Sequence, residues 1–273
     1  MGEIIRYIES DGTSHTLTSA TVRYVHGEGL DDWTAKPVWD DMTNDVDVLS
    51  GWDFERKQLQ LRFAICADSY EHARGTVAMW RQWFYRDVHR GMAGTVQVVF
   101  DGGTYTIPAA ITTTKIAEPQ FGFADVTLAF EALSFWVYGA TQSTATAFAG
   151  TSVVSVTYDN SGDYFAYPVH VITGAVGTPT IYNPQTREMI QIGTAMAGAA
   201  DVMYIWTNPV LIRYYAGGTA AGDPGAGSNW TGYAGTVSNF WRLGIGPGTV
   251  QIWAASGSAT YELRYDIRKA GLG

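Results

Sequence analysis

The sequence predicts a mainly β protein of two domains with a single helix. Three observations lead there. The chain has 273 residues, enough for two ordinary domains. It is 46% hydrophobic but only 16% charged, with 31 glycines and 14% aromatics, a balance that suits many short strands joined by tight turns. Apolar residues alternate with period two along most of the chain and switch to a helical period once.

In order, residues 4–8 read as a strand, Ser10-Asp11-Gly12-Thr13 as its turn, and residues 21–25 as a second strand that Gly27 and Gly29 break. Residues 31–55 read as a long polar excursion holding Asp31, Asp32, Asp40, Asp41, Asp45, Asp47, Asp53 and Glu55. The clearest strand follows: Leu59, Leu61, Phe63 and Ile65 point one way, Gln58, Gln60 and Arg62 the other. A helix is predicted over residues 69–90, with Asp68 as cap and Glu71 completing a capping box. Tyr70, Ala73, Val77, Trp80, Phe84 and Val88 form its apolar stripe, and Gly91 follows a basic last turn. Residues 95–100 and 104–107 flank Asp101-Gly102-Gly103 as a hairpin. Residues 125–136 alternate as a strand, though their Ala-Leu-Glu content leaves a helix open.

Small polar residues without periodicity from Gly139 to Thr146 read as a linker or an inter-domain strand. The expected organisation is a domain over residues 1–140, a linker over 141–150 and a second domain over 151–273. No helical stripe occurs in the second half. Strands are predicted over residues 153–158, 168–173, 189–192, 202–206, 210–215, 250–253 and 261–265, the spacing of a β-sandwich. A glycine-rich loop over residues 217–235 carries Trp230 and Tyr233. Loops this long in a compact domain are usually functional or mobile.

Composition narrows the function. The formal charge is −9, so the surface repels phosphates and does not suit gripping nucleic acid through counterion release. Cys66 is the only cysteine, which rules out an intrachain disulfide and a cysteine zinc cluster; it reads as a buried structural thiol. The first residues lack a basic leader followed by an apolar stretch, and no apolar run approaches the roughly 20 residues of a membrane helix. The expectation is a soluble protein made in a reducing cytoplasm.

Catalytic and metal motifs are missing. The adjacent pairs Asp31-Asp32 and Asp40-Asp41 lie on a polar segment rather than across a sugar cleft, and no EF-hand loop contains them. His15, His26, His72, His89 and His170 show no metal-ligand spacing. No nucleophile elbow or Walker loop occurs, so neither enzyme activity nor a cofactor is expected. Trp206, Trp241 and Trp253 read as core residues within strands. Trp230 and Tyr233 are the better candidates for a contact surface, to sugar or to protein.

The second half also carries a specific order of motifs. Asn160-Ser161-Gly162-Asp163 precedes Tyr167-Pro168-Val169-His170-Val171, then Gly174, Asn183-Pro184-Gln185-Thr186, Phe240-Trp241-Arg242-Leu243 and Gly246-Pro247-Gly248. This order resembles the C-terminal domain of phage distal tail proteins. Thr249 departs from it, standing where the family often has asparagine. The first half follows the same outline, with strands, one helix and a hairpin.

The resemblance implies a part of a long, non-contractile phage tail. It implies an N-terminal tail-tube-like β-sandwich or split barrel with one packed helix, and a C-terminal galectin-like jelly roll. It implies a homo-hexameric ring at the tail tip, between the tube protein and the tip hub, with the tape measure protein as a further candidate neighbour. DNA would transit without specific binding and without membrane insertion, and the outer domains would support tip or host-binding components. On this reading Asp31, Asp32, Asp40, Asp41, Asp45 and Asp47 are candidates to line the lumen or a subunit interface. The competing expectation is a carbohydrate-binding adhesin module that recognises host glycans through Trp230 and Tyr233.

Overall fold

The structure is a computed structural model that describes residues 4–28, 30, 35–42, 46–54, 58–100, 102–116, 120–134 and 136–269, and of 35–42 and 46–54 the backbone alone. The protein is mainly β with one long helix, and its strand pairs are antiparallel. It forms two compact units that meet in sequence at Gly139 and Ala140.

The first unit contains β1 (Ile4–Ile8), β2 (Ser14–Thr16), β3 (Val22–Glu28), β4 (Ala35–Met42), β5 (Val46–Phe54), β6 (Gln58–Cys66), α1 (Tyr70–Arg90), β7 (Gly94–Phe100), β8 (Gly103–Ile116), β9 (Phe123–Ala132) and the start of β10 (Trp136–Ala149). Its sheet runs β2-β1-β7-β8-β9-β6-β3. β6 lies between β3 and β9, so Leu59, Leu61, Phe63 and Ile65 are buried as their alternation requires. Gly27 does not break the preceding strand. β3 runs through it by means of a bulge between Tyr24 and His26. The polar excursion is also not irregular: β4 and β5 pair over their full length as a two-stranded sheet of their own.

α1 packs on this sheet. Trp80 meets Phe63 edge-on at 5.1 Å, and Phe84 meets Tyr7 at 4.8 Å and Phe130 at 6.0 Å. Burial of two such rings contributes on the order of 2–3 kcal/mol each. The cap is Ser69, not Asp68: the Ser69 hydroxyl accepts from the His72 amide, and Gly91 closes the helix in the left-handed region. The predicted stripe holds from Ala73 to Phe84 but fails at its ends, where Tyr70 and Val88 are exposed. Asp87 faces inward instead, because polar partners on β1 and its turn are waiting for it. Tyr7 Oη donates to Asp87 Oδ2 at 2.5 Å, Ser10 Oγ donates to Oδ1 at 2.6 Å, and the Ser10 amide donates at 3.0 Å. Glu9, also buried, is held by His15 Nε2 at 2.6 Å and by Arg86 and Arg90. His15 in turn stacks on Trp83 at 4.1 Å.

A tight turn at Gln120 to Phe123 leads into β9. Gln120 and Phe123 exchange backbone hydrogen bonds of 2.8 Å, and Gly122 C=O accepts from the Ala67 amide. Gly122 has φ +89°, and a Cβ there would sit 2.3 Å from Ala67 O. Gly122→Ala is therefore expected to destabilise the first unit by about 2–4 kcal/mol, since backbone, not a flexible side chain, must give way. Chemical denaturation measures it; a loss under about 0.5 kcal/mol would show that the turn relaxes freely.

The stretch read as a linker or an inter-domain strand is a strand, part of β10. Thr141 donates to Asp266 at 2.7 Å and Ser143 to Glu262 at 2.5 Å, so its small hydroxyl residues are cross-strand partners. The second unit continues with β11 (Val154–Asn160), β12 (Val169–Gly177), β13 (Thr180–Asn183), β14 (Glu188–Gln191), β15 (Val202–Thr207), β16 (Val210–Tyr215), β17 (Ser228–Asn229), β18 (Gly246–Trp253) and β19 (Ser256–Lys269). One sheet runs β17-β16-β15-β12-β19-β10 and the other β11-β18-β13-β14. Ile172, Met203, Ile205, Ile212 and Leu263 are buried on the first, and Val156, Ile181, Ile190, Val250 and Ile252 on the second. Trp241 is buried as expected. Trp206 and Trp253 are only half-buried, and Trp206 stacks on Tyr204 in a separate cluster with Val171 and Tyr215. Cys66 is likewise half-buried rather than enclosed.

Candidate functional site

Asp31, Asp32 and Asp45 lie outside the described residues. Asp40, Asp41 and Asp47 lie on the β4–β5 hairpin, where the register sets Asp41 opposite Asp47 and Asp40 opposite Val48. Asp40, Asp41 and Asp47 thus belong to paired strands, not to an irregular loop. Among the described residues no three His, Cys, Asp or Glu side chains converge as metal ligands would, and no helix is long and apolar enough to cross a membrane.

The second candidate is the glycine-rich loop after β16, and it is tied down along its length. Asp201 anchors its start: the carboxylate accepts from the Gly217 amide at 2.9 Å, the Gly198 amide at 2.7 Å and Tyr214 Oη at 2.6 Å. These donors, the Gly217 amide foremost, hold the Asp201 carboxyl below the ordinary carboxylate range, and Asp201 in turn pushes the Tyr214 hydroxyl up. Tyr215 Oη donates to Asp223 O at 2.5 Å. The loop then adds β17 to the edge of β16, and the Trp230 amide donates to Ile212 O at 2.9 Å. Gly227 sits at φ +72° with Tyr214 O only 2.7 Å from where a Cβ would be, which accounts for one of the glycines.

Trp230 and Tyr233 do come together. Trp230 stacks on Tyr214 at 4.1 Å and 8°, and Tyr233 meets Trp230 nearly edge-on at 5.5 Å. Tyr214 therefore already covers one face of the indole, while Tyr233 stays 52% exposed. A sugar platform needs a free aromatic face: Tyr214 removes one of the two faces of the indole, and Tyr233 is the more exposed of the pair. The residues missed in the sequence were Tyr214 and Asp201. The alternation of residues 210–215 could have placed Tyr214 on a strand face, but nothing local marks Asp201 as the anchor of a loop sixteen residues later.

Asp201→Ala should release this loop and lower the stability of the second unit by about 2 kcal/mol, because three donors lose a charged acceptor. Hydrogen exchange checks it: the Gly217 and Gly198 amides should lose protection while β12 keeps its own. Unchanged protection of both amides would show that something else anchors the loop.

No protein-family profile matches the chain, and no curated protein sequence matches it. Solved structures do. The Dit protein (gp 19.1) of phage SPP1, described as a paradigm of the hub adsorption apparatus in phages infecting Gram-positive bacteria, is similar at a TM-score of 0.69 and 12% identity, covering 97% of this chain and 99% of that one. Chains of the phage p2 baseplate in its activated conformation are similar at TM-scores of 0.54 with Ca and 0.53 with Sr. Each is 11% identical, with 97% of this chain and 98% of that chain covered. At such identities the likeness is one of fold.

Proposed function

We propose that this chain is a structural component of a phage tail tip: a distal tail protein that assembles as a ring of six, joins the tail tube to the tip hub and lets DNA pass. The likeness to the SPP1 Dit protein carries this reading, because it extends over both units and nearly the full length of each chain rather than over one common module. The physical plan is consistent with it. A helix-backed sheet gives a rigid first unit, and a second sandwich offers an independent surface for tip or host-binding components. The excess of 26 acidic over 17 basic residues suits a passage that must not trap phosphates. Asp40, Asp41 and Asp47 on the β4–β5 hairpin are candidates to face that passage or a neighbouring subunit.

Negative-stain imaging of the purified protein tests the reading. Six-fold rings with a central opening are the expected result. Monomers at every concentration, together with no ring in tail particles that contain the protein, would sink it.

A further inference from the structure

The sheet of the first unit covers only part of what α1 offers. Tyr70, Arg74, Ala78, Arg81, Tyr85 and Val88 recur at steps of three and four, so they lie along one flank of the helix, and all six are exposed. Met92, just past the helix, is exposed as well. Arg74 and Arg81 find no carboxylate among the described residues, whereas Arg86 and Arg90, on another side of the helix, bind Glu9. The first unit thus leaves bare a flank that is basic and apolar at once.

The β4–β5 hairpin of the same unit has the opposite character. β4 and β5 carry Asp40, Asp41, Asp47 and Asp53 against Lys36 alone, interleaved with apolar residues such as Val38, Trp39, Val48 and Leu49. Among the described strands they pair only with each other, and a two-stranded hairpin by itself is marginal in water. The register sets Asp41 directly opposite Asp47, a like-charge pair that costs stability until a cation neutralises it, and Trp39 opposite Leu49. Both features call for a cover that is basic and apolar. The spacing agrees as well. Two residues along a strand separate the acidic pair from the Trp39–Leu49 pair by about 7 Å, and one helical turn separates Arg81 from Tyr85 by about 6 Å.

We infer that the β4–β5 hairpin of one copy docks on this flank of α1 in the next copy, with Arg74 and Arg81 neutralising its carboxylates. The complementarity is local, between one named segment and one named flank, and it joins charge to apolar cover. Both halves belong to the first unit of a single chain, so each copy offers one to either neighbour, and a head-to-tail contact of this kind is the type that closes into a ring. The inference rests on the ring reading, with the first units side by side, and it turns the hairpin toward a neighbouring subunit rather than toward the passage.

Sedimentation of the full chain, with imaging of the same samples, tests it through two charge-reversed variants. Arg74→Glu with Arg81→Glu makes the flank acidic, and Asp41→Lys with Asp47→Lys makes the hairpin basic. Each variant alone should associate about 10-fold or more weakly than wild type. An equimolar mixture should recover association, because the acidic flank of one variant accepts the basic hairpin of the other and the remaining two faces match in the same way. Arg74 and Arg81 are exposed, so their variant should keep the wild-type thermal midpoint, and it decides alone if the hairpin variant unfolds. Equal association of wild type and folded variants overturns the contact even where rings persist, which leaves the ring reading intact. Weakened variants that do not recover on mixing overturn it too, since the two faces then do not meet each other. A wild type that stays monomeric at every concentration also overturns it. Association lost in each variant and recovered in the mixture, without rings, supports the contact and counts against the ring.

Discussion

Asp87→Ala is expected to destabilise the first unit by roughly 3–5 kcal/mol. The carboxylate is 1% exposed and receives Tyr7 Oη, Ser10 Oγ and the Ser10 amide, with Arg90 at 3.6 Å. Truncation leaves a buried phenol and a backbone amide without an acceptor and strips Arg90 of one of its three carboxylates. The position is otherwise unfavourable, since a negative charge in the last turn opposes the helix dipole. Only the partners make it stabilising.

The pH dependence follows. Burial raises the Asp87 carboxyl, but hydrogen bonds from Ser10 and Tyr7, with the Arg90 charge, outweigh it and hold the group below the ordinary carboxylate value. Burial, with Asp87 second, pushes the Tyr7 hydroxyl far up, so the phenol stays a donor across the working range. A depressed folded value means that the Asp87 contribution is complete above its unfolded pKa of about 3.9 and is lost as pH falls through the folded one. Denaturation at pH 7 should show the full loss for Asp87→Ala and a smaller one for Tyr7→Phe, which leaves Ser10 paired. A loss below about 1 kcal/mol for Asp87→Ala would mean that water replaces the network and that the latch between β1 and α1 is not structural.

Much of the fold was legible because period two and period 3.6 are local signals. β6 and β9 announce themselves through alternation and α1 through a stripe; the buried faces of the two strands are the ones the pattern names, and that of α1 is so from Ala73 to Phe84. Two of the errors share one cause: the deciding partner is distant in sequence. The cap misses by a single residue on a local bond, Ser69 rather than Asp68 holding the His72 amide, but Val88 yields to Asp87 because Tyr7 and Ser10, about 80 residues earlier, reach the helix. Residues 139–146 leave linker and strand open until Asp266 and Glu262 supply partners for their hydroxyls. The sites were less legible still. Trp230 and Tyr233 could be named from composition, but the Tyr214 face that covers Trp230 is a tertiary fact.

His170 should make the second unit acid-sensitive. The imidazole is 0% exposed on β12, with Nδ1 2.7 Å from Tyr261 Oη, Tyr261 stacked beside it and Trp241 edge-on at 5.0 Å. Burial pushes its pKa down to about 3 and the Tyr261 hydroxyl far up, so both groups are neutral at pH 7. The unfolded chain takes up a proton at His170 near pH 6.5, while the folded one does not until about pH 3. Between those values the unfolded state binds one more proton, so stability rises with pH and falls on acidification, at up to about 1.4 kcal/mol per pH unit. The contribution is therefore complete above about pH 6.5 and is lost progressively below it. His170→Phe, which keeps a ring against Trp241 but cannot titrate, should flatten this slope by about one proton, even if the loss of the Tyr261 hydrogen bond lowers stability at pH 7. Chemical denaturation of both proteins from pH 7.5 to 4.5 separates the two effects: the difference in stability at pH 7 reports packing, and the difference in slope reports the buried imidazole. Parallel slopes would overturn the assignment, because a histidine that titrates normally in the folded state contributes none.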